Sequence, residues 1–122
     1  MSKVVTAANA MIANPQKIAP VFKGPGGSEI FFSYDGKYNW SMTHPEDNYF
    51  LFFYPADSGY TLKQLAKIND PDEWEQLPMV RYDAAEIGTR EAKETFAELY
   101  LLVKEMVYGV NDALDDIIGD LS

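Results

Sequence analysis

The single histidine of the chain lies in the stretch His44-Pro45-Glu46-Asp47. An imidazole among carboxylates is the first place to look for acid–base or metal chemistry. A catalytic histidine needs a nucleophile or substrate within reach, and usually a carboxylate to orient its ring. Asp47 could orient His44, but no serine motif of the GxSxG kind accompanies it. His44, Glu46 and Asp47 could also approach a divalent cation, although three ligands drawn from one tight turn would strain its geometry. The plain reading is a turn, with Pro45 at the position that a type I turn favours.

Carboxylates are the other chemical resource. A glycosidase needs only two at a suitable separation, but with 19 acids in the chain no pair is singled out by its spacing. Asp112, Asp115, Asp116 and Asp120 lack the alternate spacing and central glycine of an EF-hand loop. There is no cysteine, which removes disulfides, thiolate metal sites and cysteine nucleophiles and agrees with a reducing cytoplasm. Lys23-Gly24-Pro25-Gly26-Gly27 lacks the GxxxxGK[ST] spacing and precedes a strand, so it reads as a linker and not as a phosphate cradle. The residues therefore point to no catalytic set, no cofactor and no metal centre.

The charge is −9 over 122 residues, and it is unevenly spread. Residues 1–61 carry five acids and four bases, whereas residues 62–122 carry fourteen acids and six bases. Such a chain repels phosphate backbones, which argues against DNA or RNA as ligand. The acid excess serves solubility, or else it presents an acidic surface to a basic partner. No basic segment leads into a long apolar run, and no stretch approaches eighteen uncharged apolar residues. A secretory leader and a membrane span are therefore not expected, and a cytoplasmic location is.

Hydrophobic residues make up 47% and aromatic residues 14%, ample for the core of one domain spanning residues 1–122. Val4, Val5, Ala8, Met11 and Ile12 recur at helical spacing, with Pro15 as the stop. Ser28 to Tyr54 reads as a three-stranded meander. At its first turn, a three-residue loop ending with Gly36 in the left-handed conformation pairs Ser33 with Lys37. This register gathers Ile30, Phe32, Tyr38, Trp40 and Met42 on one face. Glu29, Phe31, Ser33, Asn39 and Ser41 fall on the other. At the second turn, pairing Thr43 with Asn48 sets Trp40 opposite Leu51 and Tyr38 opposite Phe53. Phe50, Phe52 and Tyr54 then join Phe31 on the second face, which either the N-terminal helix or the Thr61 helix covers in a three-layer domain or a partner covers.

Thr61-Leu62-Lys63-Gln64 is a capping box opening a short helix to about Ile68. Asp70-Pro71-Asp72-Glu73 starts another turn, which carries Trp74. Met79 to Tyr82 is a fourth strand. Gly88-Thr89 precedes the longest helix, Arg90 to Tyr108, which Gly109 would end and after which Asn111 would cap a last helix to Leu121. Ala92, Phe96, Leu99, Val103, Met106 and Val110 form the inner stripe of the long helix. Opposite lies a ridge of Glu91, Glu94, Glu98 and Glu105 with Leu101 among them. On the last helix Leu114, Ile117, Ile118 and Leu121 are expected inside, with the aspartates outside.

The expected architecture is thus α+β: an antiparallel meander of three to four strands, a short N-terminal helix, and a long C-terminal helix packed across Trp40 and Leu51. At the level of architecture alone, the helix-then-meander order and the acidity are similar to small secretion chaperones. The expected function is a non-enzymatic protein-interaction module of the chaperone, immunity or anti-defence kind. Its partner would be a basic protein or a second copy of the chain. The candidate contact residues are Phe31, Asn39, Ser41, Phe50, Phe52 and Tyr54 on the sheet and Glu91, Glu94, Glu98, Leu101 and Glu105 on the helix. The contrasting reading is a small-molecule site or enzyme pocket between sheet and helices, lined by Tyr38, Trp40 or Tyr82.

Overall fold

The computed structural model describes residues 2–121. Helix α1 (Lys3–Ala13) buries Val4, Val5, Ala8 and Met11 and stops two residues short of Pro15, which cannot continue it. One 3-10 turn leads into β1 (Ile18–Lys23), followed by β2 (Ile30–Tyr34), β3 (Tyr38–Thr43) and β4 (Phe50–Tyr54). With β5 (Val80–Asp83) they form a five-stranded sheet in sequential order, antiparallel at every step.

The fold is therefore α+β, with one strand more than expected. β1 was concealed by Pro20, which demotes a run of apolar residues as a strand candidate. Proline is tolerated at a sheet edge, and β1 is the edge, with irregular pairing between Ile18 and Val21.

Both hairpin registers differ from expectation by two residues. Tyr34 pairs with Tyr38, and Phe32 with Trp40; Thr43 pairs with Phe50, and Trp40 with Phe53. At the first turn both Asp35 (φ 58°) and Gly36 (φ 67°) are left-handed, and the Lys37 N–H donates to the Tyr34 carbonyl. The loop is thus Asp35-Gly36-Lys37, not Tyr34-Asp35-Gly36. A slip of two leaves every side chain on its face. The segregation of faces is accordingly as expected, while the cross-strand partners are not.

One face of the sheet meets α1 and α5 (Arg90–Tyr108). Ile30, Phe32, Met42 and Leu51 from the strands interlock there with Val5, Ala8, Phe96, Leu99 and Val103. α5 starts on the Thr89 hydroxyl, which accepts from the Ala92 N–H. It lies over β1 and β2 and not across Trp40 as expected. The opposite face is covered in part by α2 (Leu62–Lys67) and α3 (Pro71–Gln76). The capping box of α2 is complete: the Gln64 N–H donates to Thr61 Oγ1, and the Thr61 N–H donates to Gln64 Oε1. The layers are therefore helix, sheet, helix.

The short α4 (Ala84–Ile87) follows β5 directly. Its cap is Asp83, whose Oδ1 accepts from the Ala85 and Glu86 amides and from the Asn48 side chain. Those bonds, the Asn48 one foremost, hold the Asp83 carboxyl below its ordinary range. The final helix, α6 (Val110–Gly119), follows α5 after a single left-handed residue, Gly109 (φ 66°). Asn111 lies inside this helix and does not cap it. No helix among the described residues is long and apolar enough to cross a membrane.

Candidate interaction surfaces

The second face of the sheet divides into a closed half and an open one. Phe31 and Tyr54 are fully buried beneath α2 and α3, where Phe31 stacks between Tyr54 and Trp74 at 6.1 Å from each. Ser41 is buried with them. These three are interior residues and not surface candidates. Of the two covers open to this face, it is the Thr61 helix, together with the helix starting at Asp70-Pro71, and not the N-terminal helix, that folds onto it.

Burial turns Ser41 and Tyr54 into part of a polar relay. Ser41 Oγ donates to Glu29 Oε2 at 2.6 Å, and Tyr54 lies 2.7 Å from the same Oγ. The serine proton is committed to the carboxylate, so the phenol donates to the serine. Burial raises the Glu29 carboxyl above its ordinary value of 4.5, against the opposing pull of the Ser41 and Tyr54 bonds. Burial, with the nearby Glu29 charge, also raises the Tyr54 phenol. The relay satisfies polar groups placed in a low-dielectric layer.

On the open half, Phe50 and Phe52 are half-buried with ring centres 6.3 Å apart, and the Arg81 guanidinium lies 5.2 Å from the Phe50 ring centre. Asn39 is likewise half-buried. This strip is a small aromatic surface, narrower than the one inferred from alternation.

The acidic ridge of α5 stands where its spacing placed it. Glu91, Glu94 and Glu98 are exposed, Glu105 is half-buried, and Leu101 is 55% exposed between them. Glu94 pairs with Arg90 at 2.8 Å, a surface pair that leaves most of the ridge charge unbalanced. A shallow groove flanks Leu101 on each side. One is lined by His44, Tyr49, Ala97, Tyr100 and Lys104, the other by Ile12 and Leu102, and Glu98 borders both. His44 belongs to the wall of the first groove. Its ring stacks on Tyr49 at 3.9 Å, and its Nδ1–H donates to the Asn48 carbonyl at 2.6 Å. That bond explains how the turn is closed. No cluster of metal-ligating side chains occurs among the described residues.

Two further features lie apart from the ridge and the aromatic strip, and the first answers to the pocket expected beside Tyr38 and Trp40. The first is a cleft of about 380 Å³ between α1 and the sheet, lined by Ala7, Ala10, Met11, Tyr34, Tyr38, Trp40 and Phe53. Its lining is almost wholly apolar, and Trp40 Nε1 is a buried donor without a protein partner. α5 covers the other end of this face, so the Trp40–Phe53 row stays half-open. Tyr82 does not line the cleft.

The second is α6. Leu114 (48%), Ile117 (63%), Ile118 (59%) and Leu121 (88%) are exposed, against the expectation that they lie inside. Amphipathic spacing requires that a stripe be covered, but does not require the covering surface to belong to the same chain. α6 packs chiefly against the end of α5.

The fold and these surfaces define a three-layer α+β domain with an antiparallel meander sheet. No protein-family model matches the chain, and no curated protein or solved structure matches it.

Proposed function

We propose that this chain is a non-enzymatic protein-interaction module of the chaperone, immunity or anti-defence kind, and that its acidic α5 ridge receives a basic partner. The observation that carries the reading is Leu101. A leucine 55% exposed on a ridge of glutamates, with a groove on either side, is a knob that a complementary surface can seat. Burying the knob supplies apolar contact, while the glutamates steer a basic partner and fix its register. The acid excess of the second half of the chain, fourteen acids to six bases, favours the same partner.

The contrasting reading, a ligand or enzyme pocket, would rest on the cleft beside Trp40. Ligand sites usually set a few convergent polar groups in an apolar lining. Here Trp40 Nε1 is buried, and the wall is otherwise alanine, methionine and aromatic carbon. That lining suits an apolar side-chain surface better than a substrate.

The test is paired affinity capture from one extract with the native chain, Leu101→Arg and Phe52→Ser. The expected result is a basic protein held by the native chain and by Phe52→Ser but lost from Leu101→Arg. A partner retained equally by all three would remove the ridge from the account.

A further inference from the structure

We propose that α6 docks its apolar stripe into the Trp40 cleft of a second copy of this chain, in a reciprocal exchange that closes a dimer. At about 100° per residue, Val110, Leu114, Ile117 and Ile118 fall within an arc of about 100°. The four aspartates of the segment lie outside that arc, and the segment carries no base. A contiguous exposed apolar face of this kind marks an interaction surface. The cleft is the corresponding surface: apolar, open, and floored by Trp40 and Phe53.

Charge selects this occupant over the simpler one. Packing α6 against α6 of a second copy would bring two sets of aspartates together with no base among them. The elements that wall the cleft carry lysines instead. Lys3 stands one turn before Ala7 on the same face of α1. Lys37 adjoins Tyr38, and Lys17 holds the hairpin tip, its carbonyl accepting from the Asp35 N–H at 2.8 Å. Asp35 is the acid at this tip, and Lys37 stands 4.0 Å from it. An acidic helix entering a cleft whose walls carry these lysines has complementary fields.

The position of α6 points to a second copy and not to the chain's own cleft. The Tyr108 ring, at the end of α5, lies 4.8 Å from Lys23 Nζ. Lys23 pairs with Ile30 at one end of the β1–β2 ladder, whereas Tyr34, in the cleft wall, pairs with Ile18 at the other. A single residue then separates α5 from α6. Two copies related by a twofold axis make each helix–cleft contact twice, and the assembly closes without open ends.

The test is solution mass by light scattering over a range of concentrations, with two single variants and their mixture. Ile118→Asp disables the helix, and Ala10→Trp fills the cleft. Both positions are exposed, so circular dichroism should report an unchanged fold. The native chain is expected to reach twice the monomer mass, and each variant to remain a monomer. An equimolar mixture of the two should recover dimer, because one intact helix then meets one intact cleft. A native chain monomeric throughout overturns the proposal, as does an Ala10→Trp variant that still dimerises or a mixture that stays monomeric. Ala10→Glu repeats the cleft arm without adding an aromatic ring, setting an acid where the acidic helix must enter. The α5 ridge is a separate surface, so Leu101→Arg should dimerise like the native chain whatever becomes of its partner.

Discussion

Helices α5 and α6 are written in the same pattern, an apolar stripe opposed to a row of acids, and are separated by one glycine, yet they end differently. The stripe of α5 is closed: Ala92, Phe96, Leu99 and Val103 are fully buried against α1 and the sheet. The stripe of α6 is bare. Within α5, core burial offsets the entropy of ordering nineteen residues. α6 has little such burial within its own chain. The contrast teaches that periodicity fixes which residues share a face, while the identity of the cover is a matter of topology or of assembly.

The largest effect should come from truncating the closed stripe. Phe96→Ala should cost about 3–5 kcal/mol, measured by urea unfolding, whereas Ile118→Ala should change monomer stability by no more than about 0.5 kcal/mol. Equal losses at the two sites would mean that α6 is packed within the monomer and would erase the contrast. Next come the ends of α5. Thr89→Ala removes the hydroxyl that accepts from the Ala92 amide and should cost about 1 kcal/mol. Gly109→Ala places a side chain at φ 66° between the helices and should cost about 1 kcal/mol.

A subtler effect lies under α2. Burial raises the Glu29 carboxyl, so the fold favours its neutral form. That contribution is fully present below the unfolded value and is lost as pH rises through the raised folded one. Glu29→Gln keeps an acceptor for Ser41 without the charge. Its melting temperature should exceed that of the native chain at neutral pH, and the gap should close on acidification. A gap that widens with acid would contradict the burial argument. The smallest stability effect belongs to Leu101→Arg, within about 0.5 kcal/mol, although its effect on partner capture should be complete.

Much of the fold was legible because its signals are local. The Thr61 capping box, the Asp70-Pro71 start and the Gly88-Thr89 entry each announce a helix through backbone groups satisfied within a few residues. The two sheet faces were legible from alternation alone. What escaped was long-range. Registers slipped by two because such a slip preserves alternation, and β1 was masked by Pro20. The burial of Phe31, Ser41 and Tyr54 depended on where two short helices fold back, which no local pattern records. The ridge candidates, fixed by the geometry of one helix, stood where spacing put them. The Trp40 cleft was half-visible, since Tyr38 and Trp40 were recognised as lining residues while the gap beside them depended on where α1 comes to lie.

The central claim is that the α6 stripe is covered between molecules and not within one. Amide hydrogen exchange of α6, followed as a function of protein concentration with α5 as internal reference, tests it most directly. The account predicts that protection in α6 rises with concentration in the native chain and stays low in Ile118→Asp, while α5 is unchanged in both. Protection of α6 that equals that of α5 at every dilution would contradict the account.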